Sequence, residues 1–188
     1  MARLHYLTLC SLDGYIEDED GGFGWAEPSE EVHAFVNDLV RPVGTHLYGR
    51  RMYETMAAWE TDPSLAAARD GVFGDFARLW QGADKVVYST TLAGDPPTRR
   101  TRVERAFEAE TVRAMKASAT ADLMIGGAAL AGEALRAGLV DECHLFLVPV
   151  SVGGGKPALP RRARVDVELL DHRRFANGTV YLRYRGQT

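Results

Sequence analysis

The alternation of apolar and polar positions divides the chain into short extended runs and longer runs of helical period. Residues 3–11 (RLHYLTLCS) alternate and are rich in Leu and Tyr, which predicts a first strand broken by Leu12, Asp13 and Gly14. A loop runs to Pro28. Ser29 then reads as a helix N-cap with Glu30 and Glu31 in the first turn, and Val32, Phe35, Val36, Leu39 and Val40 recur at helical spacing as far as Pro42. Further on, short strands are predicted over 45–48 and 85–88 and helices over 50–59, 73–80 and 107–116. Residues 61–71 read as loop, and Arg99, Arg100, Arg102 and Arg105 as an exposed connection. Residues 122–126 read as a buried strand that passes at Gly126 and Gly127 into an alanine-rich helix ending near 137. Residues 142–150 read as a strongly apolar strand, followed by SVGGGKP (151–157) as an irregular loop. Two alternating segments, 165–175 and 179–184, flank Ala176, Asn177 and Gly178, and Asn-Gly is a hairpin signal. Strands alternating with helices and closed by a hairpin predict a three-layer α/β fold whose sheet is mostly parallel with an antiparallel end.

Composition narrows the classes of function. A chain of 188 residues with 46% hydrophobic content suits one domain spanning 1–188. Its net charge of -4, with 26% charged residues, offers no field for gripping a polyanion, so nucleic acid is not an expected partner. Cys10 and Cys143 each lie inside an apolar run, which reads as two core thiols of a reduced compartment rather than a disulfide. The N-terminal segment lacks a signal-peptide cleavage site, and no apolar stretch reaches the roughly 20 residues that span a bilayer, so a cytoplasmic location with no membrane contact is expected. His5, His33, His46, His144 and His172 show no metal-ligand spacing along the chain, and no metal is expected.

The chemistry concentrates at strand ends. A bare glycine pair at a strand exit signals a close approach to the backbone, either by another piece of protein or by a ligand. In an open α/β sheet ligands bind beyond the carboxyl ends of the strands, where loops and helix N-termini converge. Three junctions fall on that edge: Gly126-Gly127 with Ala128, Ala129 and Leu130 opening a helix; Gly49-Arg50-Arg51; and Ser89-Thr90-Thr91. Helix-opening amides and guanidinium groups favour phosphate. Each junction taken singly also has an ordinary explanation in turn geometry, a solvated helix face or a strand cap. Neither GxGxxG nor GxxxxGK[ST] occurs. Three anion-friendly tips in one sheet suit a long ligand with several phosphates.

In order along nearly the whole chain, SLDGYI, LYGRRMYETM, KVVYSTTL, DLMIGGAALAGEAL with GLVDECHLFLVPVSVGGG, and FANGTVYLRY resemble the dihydrofolate reductase-like superfamily. The branch is that of the reductase domain of the bifunctional deaminase-reductase of riboflavin biosynthesis. The resemblance implies a dihydrofolate reductase-like sheet of about eight strands, NADPH as hydride donor and a homodimer. It implies reduction of a C=N or C=O group in a small pterin- or pyrimidine-like substrate, with 5-amino-6-(5-phosphoribosylamino)uracil reductase as the alternative. By the same resemblance Gly49, Arg50, Arg51 and Met52 serve the pyrophosphate and adenosine phosphate. Ser89, Thr90 and Thr91 lie by the adenosine ribose and its 2′-phosphate. Gly126, Gly127, Ala128, Ala129 and Leu130 meet the pyrophosphate and nicotinamide half, and Leu9 and Ile16 flank the nicotinamide. On the substrate side WAEPSE (25–30) implies Trp25 in the pocket and Glu30 as the acid that assists protonation, with Asp13 as a second polar candidate. Val148 stands where a threonine usually partners that acid. Trp59 reads as either core or substrate wall, and Lys156 would meet an anionic substrate as the glycine loop closes. No His/Cys zinc motif of a deaminase half is present. A nucleotide-binding module without turnover is the rival from another class.

Overall fold

The computed structural model describes residues 1–66 and 70–186. The chain begins with β1 (Leu4–Ser11) and β2 (Tyr15–Glu17), and after a single 3-10 turn at Gly24–Ala26 enters α1 (Glu30–Val40). There follow β3 (Val43–Gly49), α2 (Arg50–Met56), α3 (Ala58–Thr61), α4 (Pro63–Ala66), α5 (Gly71–Gly82), β4 (Asp84–Tyr88) and β5 (Thr101–Glu104). The second half comprises α6 (Ala109–Ser118), β6 (Asp122–Gly126), α7 (Ala128–Arg136), β7 (Glu142–Val148), β8 (Lys156–Pro157), β9 (Val167–Arg174) and β10 (Val180–Gly186).

Eight strands form one sheet in the order β5-β4-β3-β6-β1-β7-β10-β9, and β2 pairs with β8 in a separate ribbon. The six strands from β5 to β7 run parallel, and β10 and β9 close the sheet antiparallel. Alternate residues feed opposite faces, as a period of two requires. Leu4, Tyr6, Leu47, Val86, Leu123 and Ile125 pack with Val112 of α6 and Leu130, Ala131, Ala134 and Leu135 of α7. On the other face Tyr48, Val87 and Met124 pack with Val40 of α1 and Phe76 and Trp80 of α5, while Phe146 and Tyr181 meet Val32. Helices cover both faces, giving the expected three layers.

Local signals explain most boundaries. Ser29 caps α1 by accepting from the Val32 amide at 3.4 Å, with Glu30 and Glu31 against the positive end of the helix dipole. Gly178, at φ +87°, makes the Asn177-Gly178 turn of the closing hairpin. Cys10 and Cys143 are free and buried, and burial pushes both thiols up to about 11.

Four elements differ from expectation. The helix predicted over 50–59 is two helices meeting at Ala57, and the loop predicted over 61–71 contains α4 and the start of α5; residues 67–69 of that loop lie outside the described residues. The arginine-rich connection carries β5, a four-residue edge strand in which only Arg102 is exposed and Val103 packs on the core, so its polar composition hid it. Within SVGGGKP, Lys156 and Pro157 pair with Tyr15 and Glu17; this tertiary pairing has no local sequence signal.

Candidate active site at the carboxyl edge of the sheet

Neighbouring strands β3 and β6 send their following connections to opposite faces. The segment after β3 leads to α5 on one face, and β6 leads into α7 on the other. Such a point of divergence opens a crevice beyond the strand ends. The registers Tyr48↔Gly126 and Gly49↔Tyr88 bring Gly49, Ser89 and Gly126 to adjacent tips, so the three junctions predicted to share an edge do so.

The glycines there have different reasons. A Cβ on Gly126 would lie 2.8 Å from Cε1 of Tyr48 and 3.3 Å from Cγ of Met52. Gly127 holds φ +90°, and a Cβ there would meet Cβ of Met52 at 3.3 Å. The close approach signalled by the glycine pair is therefore made by the chain's own Tyr48 and Met52. Gly49 is the opposite case: at φ -74° and ψ 160° a Cβ would point into open space. Both α2 and α7 lack a side-chain cap, leaving their first-turn amides free to bind an anion.

Beside these tips lies a cavity of about 820 Å³ lined by Tyr15, the acidic stretch Glu17, Asp18, Glu19 and Asp20, Arg51, the glycines of 153–155, Lys156 and Arg161. A second cavity of about 330 Å³ runs along α7, lined by Ala128, Ala129, Gly132, Glu133 and Arg136 and by Lys156, Pro157 and residues 159–161. Lys156 and Arg161 border both cavities, which lie side by side as a two-part trough with Ala128 and Ala129 of α7 on the second part. Its volume falls in the range of small-molecule and cofactor sites. Acidic and basic side chains both line it, and Lys156 is paired with Glu17, so Arg51 and Arg161 are the lining cations with no ion pair to the acidic stretch among the described residues.

The glycine loop is held in place by Asp13. Its carboxylate accepts from Ser151 Oγ at 2.9 Å, the Val152 amide at 3.2 Å and the Gly153 amide at 2.7 Å. Hydrogen bonding, from Ser11 first and then the loop donors, holds this carboxyl well below the usual carboxylate range. Gly155, at φ +123°, lies against the Glu17 carbonyl and the Asp18 backbone, where no side chain fits. Lys156 pairs with Glu17 at 3.3 Å. Loop, ribbon and trough wall are thus one unit.

Several expected site residues are placed otherwise than the resemblance implied. Glu30 is exposed in the first turn of α1, the position dipole complementarity selects, and is no enclosed pocket acid. Asp13 is spent on the loop. Arg50 is paired with Glu54 at 3.3 Å, whereas Arg51 lines the trough. Ser89 is buried, its Oγ accepting from the amides of Thr91 and Leu92, so only Thr90 and Thr91 are exposed at that tip. Leu130 faces the core, leaving its backbone as the part available at the edge. Trp59 packs edge-on against His33 and tilted against Phe76, a core role. Trp25 is half-buried, its ring NH donating to the Gly22 carbonyl at 3.2 Å. Leu9, Ile16 and Val148 are half-buried, and Leu9 and Val148 stand on neighbouring strands near their carboxyl ends. Arg161 and the acidic stretch 17–20 were missed; the run RRAR after Pro160 and the run EDED were the available signals.

The architecture is that of the dihydrofolate reductase-like proteins. Residues 4–181 match the family described as the RibD C-terminal domain, and the chain belongs to it. The chain is 26% identical over 187 residues to the uncharacterized protein YyaP of Bacillus subtilis (strain 168), covering 93% of this chain and 89% of that one. A putative riboflavin biosynthesis protein from Shewanella sp. PV-4 superposes with a TM-score of 0.77 at 19% identity, covering the whole of both chains. A pyrimidine reductase-like protein from Corynebacterium diphtheriae gives 0.69 at 13% identity, over all of this chain and 92% of that one. A diaminohydroxyphosphoribosylaminopyrimidine deaminase/5-amino-6-(5-phosphoribosylamino)uracil reductase from Thermotoga maritima gives 0.65 at 15% identity, with this chain spanning 57% of it. At these identities the likeness concerns the fold. Among the described residues no helix is long and apolar enough to cross a membrane.

Proposed function

We propose that the protein is a reductase that takes hydride from NADPH and delivers it to a C=N or C=O group of a small pterin- or pyrimidine-like substrate. The observation that carries this reading is the crevice where β3 and β6 diverge, with two uncapped helix starts at adjacent strand tips and Arg51 lining the cavity beside them. Family membership supports it. The donor set fits a dinucleotide: the amides opening α2 and α7 take the pyrophosphate, Gly49 leaves the space a phosphate needs, and Arg51 supplies charge. Thr90 and Thr91 serve the adenosine ribose side. When bound, the cofactor supplies the hydride from its nicotinamide ring.

The remaining work falls to the chain. Leu9 and Ile16 provide an apolar flank for the nicotinamide, and Trp25 and Val148 bound the acceptor. Arg161 can meet an anionic group on the substrate, with Lys156 joining it if its pair with Glu17 opens, which suits a phosphorylated pyrimidine of the riboflavin pathway. With Glu30 exposed and Asp13 committed to the loop, the proton is assigned to water in the trough. A homodimer fits the same reading: β9 is an edge strand with Val167 41% and Leu169 49% exposed, and such edges are normally covered.

Fluorescence titration with NADPH and NADH tests the proposal. Tighter binding of NADPH, weakened by Arg51→Ala, is expected; no affinity for either overturns it. Oxidation of NADPH against dihydrofolate and the ribosylamino-pyrimidinone then identifies the acceptor, and binding without turnover of any acceptor tried would favour a nucleotide-binding module.

A further inference from the structure

At the amino edge of the sheet, away from the trough, His5 of β1 and Glu142 and His144 of β7 converge across 139 residues of sequence. All three are buried. His5 Nδ1 and His144 Nε2 are 3.1 Å apart, and Glu142 Oε2 lies 3.9 Å from the first and 3.6 Å from the second. The circumradius of a triangle with these sides is about 2.1 Å, which matches the distances at which zinc is bound by imidazole nitrogen and carboxylate oxygen. A divalent ion at its centre needs no movement of the three atoms.

We propose that His5, Glu142 and His144 form a binding site for a divalent transition-metal ion of the zinc class, independent of the carboxyl-edge site. The groups behind the ligands are those such a site requires. Asp122 Oδ2 lies 3.2 Å from His5 Nε2, so His5 carries its proton there and turns the Nδ1 lone pair inward. The Tyr181 hydroxyl lies 2.8 Å from His144 Nδ1, and its oxygen can accept the proton of that nitrogen in the tautomer that leaves the Nε2 lone pair free. Carboxylate or hydroxyl partners on the far nitrogen are the usual means of fixing a ligating imidazole. Arg3 holds Glu142 Oε1 at 2.8 Å, leaving Oε2 toward the two rings. With both outer nitrogens protonated, two lone pairs and a carboxylate oxygen face one another, the donor set a divalent cation takes. The bound ion would tie β1 to β7, with β6 and β10 supplying the supports.

The test uses untagged full-length protein, stripped with chelator and titrated with Zn²⁺ or Co²⁺. One equivalent should be retained through desalting, visible absorption should develop with Co²⁺, and the unfolding midpoint should rise by about 5–10 °C at a hundredfold excess over Kd. Imidazole nitrogen resonances of His5 and His144 should shift on adding Zn²⁺ while those of His33, His46 and His172 do not. Glu142→Gln, which keeps the Arg3 hydrogen bond, should lower affinity at least tenfold. No retained metal and no change in midpoint would overturn the proposal, as would shifts confined to other histidines. Should Glu142→Gln fail to fold, the wild-type resonances decide alone.

Discussion

Substituting alanine at Gly126 and at Gly49 should separate packing from binding at one sheet edge. At Gly126 the new methyl would sit 2.8 and 3.0 Å from two carbons of the Tyr48 ring. That ring has no room to yield: Tyr48 is 3% exposed, its hydroxyl accepts from Trp80 Nε1 at 3.1 Å, and its face stacks on His46. Overpacking of this kind costs about 1–3 kcal/mol. For a domain of this size each kcal/mol lowers the melting midpoint by roughly 2–4 °C, so Gly126→Ala should melt about 2–12 °C below wild type. At Gly49 the methyl meets nothing, and the backbone angles suit alanine. Reduced unfolded-state entropy contributes about 0.4–1 kcal/mol, and the poorer N-cap offsets a similar amount, so stability should barely change. The methyl would instead stand where a phosphate is proposed to lie, weakening NADPH at least tenfold. Differential scanning fluorimetry and fluorescence titration read the two effects. An unshifted midpoint for Gly126→Ala would refute the packing argument, and wild-type NADPH affinity for Gly49→Ala would refute the placement of the pyrophosphate.

Other consequences can be checked directly. His46 and His144 are both pushed down to about 3, chiefly by burial, so unfolding binds protons below the ordinary histidine value near 6.5; stability should be level above about pH 6.5 and fall toward pH 3 by up to about 1.4 kcal/mol per pH unit for each, as urea midpoints would show. A flat profile would contradict that burial. Asp13→Asn should speed amide exchange at Val152 and Gly153 and raise KM for an anionic substrate, and because the folded carboxyl titrates below its usual value, wild-type loop protection should hold above about pH 4 and weaken as the pH falls further. Glu30→Gln should leave the pH profile of NADPH oxidation unchanged, since Glu30 is exposed on α1 and lines neither cavity; a lost limb would restore Glu30 as the acid. Lys85 is fully buried over the Trp80 ring, donating to the Trp80 carbonyl at 3.3 Å and lying 4.0 Å from Glu60 Oε2, so Lys85→Ala should destabilise by about 2–4 kcal/mol, and Lys85→Met should recover stability only when Glu60→Gln accompanies it, measured by urea unfolding.

What the sequence determined by itself was whatever rests on neighbours in the chain. The period-two runs specified the strands that fill the sheet centre, Ser29 specified where α1 begins, and Asn177-Gly178 specified the closing hairpin, because caps, turns and one-sided burial act over a few residues. The strand-end glycines likewise marked the carboxyl edge. Tertiary structure alone decided what each marked residue does there. Gly126 makes room for Tyr48 and Met52, contacts set by the β3-β6 pairing, and Asp13 is committed to amides 139 and 140 positions away. The exposure of Glu30, the choice of Arg51 over Arg50 and the meeting of His5 with His144 follow from strand order and register. Those depend on which of many possible distant pairings buries the most apolar surface at once, a choice of the whole chain that no local window contains.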